Sequence, residues 1–71
     1  MTILRLLRLD KKMSLFDLAV KTGLRETIIS AIKNRRMVAY PRQRAALATF
    51  YEIPEHELFD GADFAKLAEA E

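Results

Sequence analysis

Apolar residues recur at helical spacing along nearly all of this 71-residue chain, and its only glycines and prolines, Gly23, Pro41, Pro54 and Gly61, fall between the periodic stretches. Such punctuation cuts the chain into five or six short helices. No strand-like alternation of convincing length and no repeat is left over. An all-α domain follows. Its size allows one core that buries about 60% of the unfolded chain's surface. With 51% hydrophobic residues the chain can fill that core, so wholesale disorder is not expected.

Each helix has a recognisable start or stop. The first is expected over Thr2–Lys12, with Leu4 and Leu7 on one face and Lys11 and Lys12 at its negative end. Ser14 is placed as an N-cap, with Asp17 three residues on in capping-box position. The second helix then runs Leu15–Lys21, with Leu15, Leu18 and Ala19 inward, and Gly23 supplies the left-handed backbone that stops it. A third helix begins at Arg25 or Glu26 and ends near Asn34, its apolar side made by Ile28, Ile29 and Ile32 with Leu24 just before it. Pro41 opens a fourth helix to Tyr51, with Ala45, Leu47, Ala48 and Tyr51 as core positions. Ile53-Pro54 starts a short fifth helix to Phe59, and Asp60-Gly61 turns the chain. A last helix is expected over Asp63–Ala70, with Phe64, Leu67 and Ala68 on one side. The chain thus divides into a domain over 1–60 and a short helical tail over 61–71.

Charge is distributed unevenly. Residues 1–44 hold eleven Lys or Arg against three acids, a net +8, while residues 45–71 hold one base against seven acids, a net −6. A basic half beside an acidic half is the pattern of a polyanion-binding face backed by a solvated one. Other classes find little support. Without cysteine there is no disulfide and no thiolate metal site. His56 stands alone and reads as an exposed side chain, so no metal and no cofactor are expected. Ser14 and Ser30 have helix roles, no His–acid pair lies near either, and no Gly-rich phosphate loop exists, so no enzyme is expected. No apolar run approaches a membrane span of about 18 residues. Met1 to Leu9 is broken by Arg5 and Arg8 and lacks the core of a signal peptide. A soluble, cytoplasmic, nucleoid-associated protein is expected, with no small-molecule ligand.

The informative unit is Ser14 to Asn34: two short helices joined by the turn Thr22-Gly23-Leu24. This is the helix-turn-helix pattern, in which the first helix crosses the DNA backbone and the second enters the major groove. The stretches Ser14-Leu15-Phe16-Asp17-Leu18-Ala19, Gly23-Leu24, Ile29-Ser30-Ala31-Ile32, Arg35-Arg36, Leu47-Ala48 and Ile53-Pro54-Glu55-His56-Glu57-Leu58-Phe59 occur in order. Together they resemble the phage-repressor type of helix-turn-helix regulators, the lambda repressor, Cro and Xre kind, over about Leu4 to Phe59. That resemblance implies a compact five-helix domain that binds double-stranded DNA, and it points to Glu26, Thr27, Ala31 and Asn34 as reading positions. Two positions depart from the family pattern: Leu15, where members often carry Gln, and Arg35, where they usually carry Gly.

The third helix can also be read by itself. With Ile29 and Ile32 inward, steps of 100° put Thr27, Ala31 and Asn34 outward, flanked by Ser30. Arg25 and Glu26 occupy the end that points into the groove. Base contacts are therefore expected from Arg25, Glu26, Thr27, Ser30 and Ala31. Arg25 suits a guanine edge, Glu26 a cytosine amino group and Ala31 a thymine methyl. Asn34, Arg35 and Arg36, with Ser14, Lys33 and Arg42, are expected at phosphates. Glu26 equally suits the helix N-terminus by charge alone, Arg35 and Arg36 the helix C-terminus, and Arg5, Arg8, Lys11 and Lys12 a solvated face.

The expected function is sequence-specific transcriptional regulation, as a repressor acting by operator occupancy. A lone helix-turn-helix reads few bases, and family members pair on two half-sites roughly 34 Å apart. Leu6, Leu9, Phe16, Phe50, Phe64 and Leu67 exceed the needs of the core. Either some of them form a homodimer contact through the fifth helix and tail, or the tail folds back onto Leu6 and Leu9. Two rival readings are the antitoxin of a toxin pair, and a protein-interaction module on this fold without DNA binding.

Overall fold

The computed structural model describes residues 1–68. Among them lie five helices: α1 (Ile3–Asp10), α2 (Leu15–Thr22), α3 (Glu26–Lys33), α4 (Pro41–Tyr51) and α5 (Glu55–Leu58). Strand-like pairing among the described residues is limited to two isolated antiparallel bridges, Thr2 with Leu67 and Phe59 with Ala65. Among the described residues no helix is long and apolar enough to cross a membrane.

The caps lie where short polar residues precede apolar ones. Thr2 Oγ1 accepts from the Arg5 N–H at the start of α1 and donates to the Lys33 carbonyl at 2.9 Å, so one hydroxyl starts α1 and ends α3. At α2, Ser14 Oγ accepts from the Asp17 N–H at 3.0 Å and Asp17 Oδ2 accepts from the Ser14 N–H at 3.2 Å. Changing Ser14 to alanine is expected to lower stability by about 1 kcal/mol. Urea unfolding would report this as a lower midpoint at unchanged slope, and an unmoved midpoint would show that the cap contributes nothing. Gly23 ends α2 at φ 77°, its N–H bonded to Ala19. The turn between α2 and α3 accordingly spans Gly23 to Arg25, one residue later than expected.

Leu4, Leu18, Ile29, Ile32, Leu47, Tyr51 and Leu58 build the core, joined by Ala39, Phe59 and Ala65. Every helix contributes, and Ile32, Leu47 and Leu58 are fully enclosed. Leu7, Leu15, Ala19, Leu24, Ile28 and Ala48 pack against it as expected. Ala45 is exposed, contrary to expectation, because the turn of α4 carrying Leu47 and Tyr51 faces inward instead.

The expected helix over the tail is not formed at residues 63–68; Glu69 and Ala70 lie outside the described residues. Asp60 explains why. Its Oδ1 accepts from the N–H groups of Ala62 and Phe64 at 2.9 and 3.1 Å, and Asp63 takes a left-handed φ of 68°. A side-chain acceptor thus replaces the helical carbonyls, and the turn redirects the chain. It then runs extended between α5 and the start of α1: Lys66 donates to Leu58, Ile3 donates to Lys66, and Ala68 donates to Met1. Ala65, beyond residue 60, is fully buried in the core. Of the two alternatives for the tail, folding back is what these residues do, but onto Met1–Ile3 and not onto Leu6 and Leu9, which stay exposed.

Candidate nucleic-acid interface

Helix α3 buries Ile29 and Ile32 and turns Glu26 and Thr27 outward, with Ser30 and Ala31 half-buried on the same side. Arg25 precedes it as an exposed N-cap residue whose side chain makes no capping bond, so its guanidinium is left for other contacts. Asn34, also exposed, follows the last turn, its N–H bonded to the Ser30 carbonyl at 3.0 Å. Eight residues of helix rise about 12 Å, and that distance separates the two polar ends of the exposed face.

Cations stand at both ends. At the N-terminal end, Arg25, Tyr40 and Arg42 line one groove with the Gly23-Leu24 turn, because α4 begins beside it. Pro41 sets the first turn of α4, and Gln43 Oε1 accepts from the Tyr40 N–H at 2.9 Å, holding Tyr40 and Arg42 in place. Tyr40 was not singled out by sequence. Its signal was the position before Pro41, and its relevance comes from a neighbour 15 residues earlier in the chain. At the C-terminal end, Lys33 and Asn34 meet Arg5 of α1. The Lys33 ammonium is held below its ordinary pKa by burial first, then by the charges of Arg8 and Arg5. Arg36 is exposed just beyond, its N–H bonded to Ala31. Ser14 is exposed at the start of α2; its oxygen accepts within the cap, and its proton remains available to donate.

Arg35 is engaged within the fold. Expected at a phosphate, its guanidinium turns to the tail: Nη1 donates to Asp60 Oδ2 at 3.1 Å and to the Ala65 carbonyl at 2.7 Å. It also lies 5.3 Å from the centre of the Phe64 ring. Its backbone takes a left-handed φ of 60°, the conformation glycine adopts most readily. Burial alone would raise the pKa of Asp60, but the N–H groups of Ala62 and Phe64 and then Arg35 outweigh it and hold the carboxyl below its usual range. Arg44 does similar work on the other side of the tail. It pairs with Glu55 at 3.1 Å and Asp63 at 3.4 Å and donates to the Ala39 carbonyl at 2.6 Å.

Comparison with protein-family models, with curated proteins and with solved structures finds no match to this chain.

Proposed function

We propose that the chain is a sequence-specific double-stranded DNA-binding regulator of the helix-turn-helix kind, with α2 and α3 as the motif and α3 as the reading helix. One observation carries this: an outward α3 face of short polar and small residues, with uncommitted cations at both ends. Arg25, Glu26, Thr27, Ser30 and Ala31 read base edges in this proposal. Ser14, Lys33, Asn34, Arg36 and Arg42 hold phosphates. The resemblance to phage-repressor regulators supports the same assignment, with repression by operator occupancy as a dimer in the cytoplasm. The exposed residues of α5 are Glu55, His56 and Glu57, so a dimer contact there would be polar, whereas Leu6, Leu9, Phe16 and Leu67 are the exposed apolar residues among those expected to form it. An unpaired tail would favour the antitoxin reading; residues 61–68 are instead bonded to their own fold, so that support is missing.

The test is binding to mixed-sequence duplex DNA across a salt series, followed by fluorescence anisotropy. Each phosphate contact contributes about −0.9 to the slope of log K against log salt, so a slope of several units is expected. Changing both Arg36 and Arg42 to alanine is expected to reduce it by about two units. A slope near zero for the parent protein overturns the reading.

A further inference from the structure

The second cationic place on the molecule has a shape as well as a charge. Where the first turn of α1 meets the end of α3, a cleft of about 180 Å³ is lined by Thr2, Arg5, Lys33, Asn34, Arg35 and Leu67. That volume exceeds several times the roughly 30 Å³ share of one liquid water, which is room enough for a tetrahedral oxyanion. Its floor is held by Thr2. The Thr2 residue is 4% exposed, and its hydroxyl ties the Lys33 carbonyl to the N-terminus of α1.

Every ionisable side chain on this cleft is a cation. Arg35 is engaged with Asp60, whereas Arg5 and Lys33 form no ion pair among the described residues. Arg8, one turn after Arg5, adds positive potential from behind. Its Nη1 donates to the Met13 carbonyl at 2.7 Å, while its buried Nε has no partner. Like charges held together in partial burial are unfavourable, and an oxyanion among them removes that cost. Arg5 offers a planar fork, Lys33 a compact ammonium and Asn34 an amide N–H, a donor set that suits phosphate oxygens.

We infer that this cleft, between Arg5, Lys33 and Asn34, is a phosphate-binding site. The phosphate is either a phosphodiester of the duplex beside the groove that α3 enters, or free phosphate. The first source rests on the proposed DNA-binding function; the second does not. In the first case Arg5 extends the interface from α3 onto α1, and the cleft fixes how far α3 advances along the groove.

Two measurements on the full chain test it. Inorganic phosphate is titrated against chloride at constant ionic strength, following backbone amide signals of Thr2, Arg5, Lys33 and Asn34 by NMR. Salt slopes for duplex binding are measured for the parent, Arg5→Ala and Lys33→Gln, with unfolding curves to establish that each variant is folded. A duplex phosphodiester is indicated when each variant lowers the slope by about one unit. Free phosphate is indicated when the four amides shift saturably, Arg5→Ala abolishes the shift, and the slope is unmoved. Saturable phosphate binding without any duplex binding keeps the cleft and removes the regulator reading. The inference is overturned when phosphate moves none of these amides and neither folded variant changes the slope.

Discussion

Arg35→Ala is expected to destabilise the folded chain by about 2–3 kcal/mol, lowering its melting temperature by roughly 10–20 °C. The largest part comes from the Ala65 carbonyl. Ala65 is fully buried, and Arg35 Nη1 is the donor its carbonyl receives, so truncation leaves a polar group desolvated at a cost of about 1–3 kcal/mol. The pair with Asp60 is about one-third exposed on both sides and adds little. The contact with the Phe64 ring contributes about 0.5–1 kcal/mol. Alanine keeps the strain of the left-handed backbone, whereas Arg35→Gly relieves roughly 1 kcal/mol of it. The glycine variant should therefore melt above the alanine variant, the reverse of their order inside a helix. Both should bind duplex DNA with the parent's salt slope, measured below their melting temperatures. Unchanged stability in Arg35→Ala, together with a slope lower by one, would return Arg35 to the phosphates.

Thr27→Glu is expected to move binding and stability in opposite directions. Thr27 is exposed in the first turn of α3, where a carboxylate favours the positive helix end by about 0.3–1 kcal/mol. Stability in urea should hold or rise slightly. At a groove-facing position the same carboxylate meets phosphates and base acceptors, and a loss of about 2–3 kcal/mol, roughly 50-fold in affinity, is expected. Anisotropy on one duplex, beside an unfolding curve, measures both. Undiminished affinity in the folded T27E variant would remove Thr27, and with it this orientation of α3, from the interface.

Much of the fold was legible in the sequence because its signals are local. Ser14 with Asp17, Gly23 and Pro41 mark boundaries that the structure reproduces to within one residue. The inward and outward sides of α3 follow from its period, and so do the exposed positions of Arg25, Glu26 and Thr27. What could not be read depends on partners distant in the chain. Phe64, Leu67 and Ala68 have helical spacing, yet Asp60 and the edge offered by Met1–Ile3 draw the tail into extended pairing. Arg35 looked like half of a basic pair; only the fold brings Asp60 and Ala65, 25 and 30 residues later, to its guanidinium. Arg5 likewise reads as a solvated helix residue until α3 is docked beside it.

The seam between residues 1–3 and 66–68 closes the described residues into a ring held without a covalent bond. Doubling a loop adds only about 0.6 kcal/mol of closure entropy, so closing this long circuit costs little more than closing one of half its length. In return, the start of α1 is held twice, by the tail and by the Thr2 cap. Thr2 is the joint of this ring: it bridges to Leu67 through its backbone and holds the last carbonyl of α3 through its hydroxyl. Loosening at the tail thereby reaches the end of α3 by two routes, through Thr2 and through the hold of Arg35 on Asp60 and Ala65.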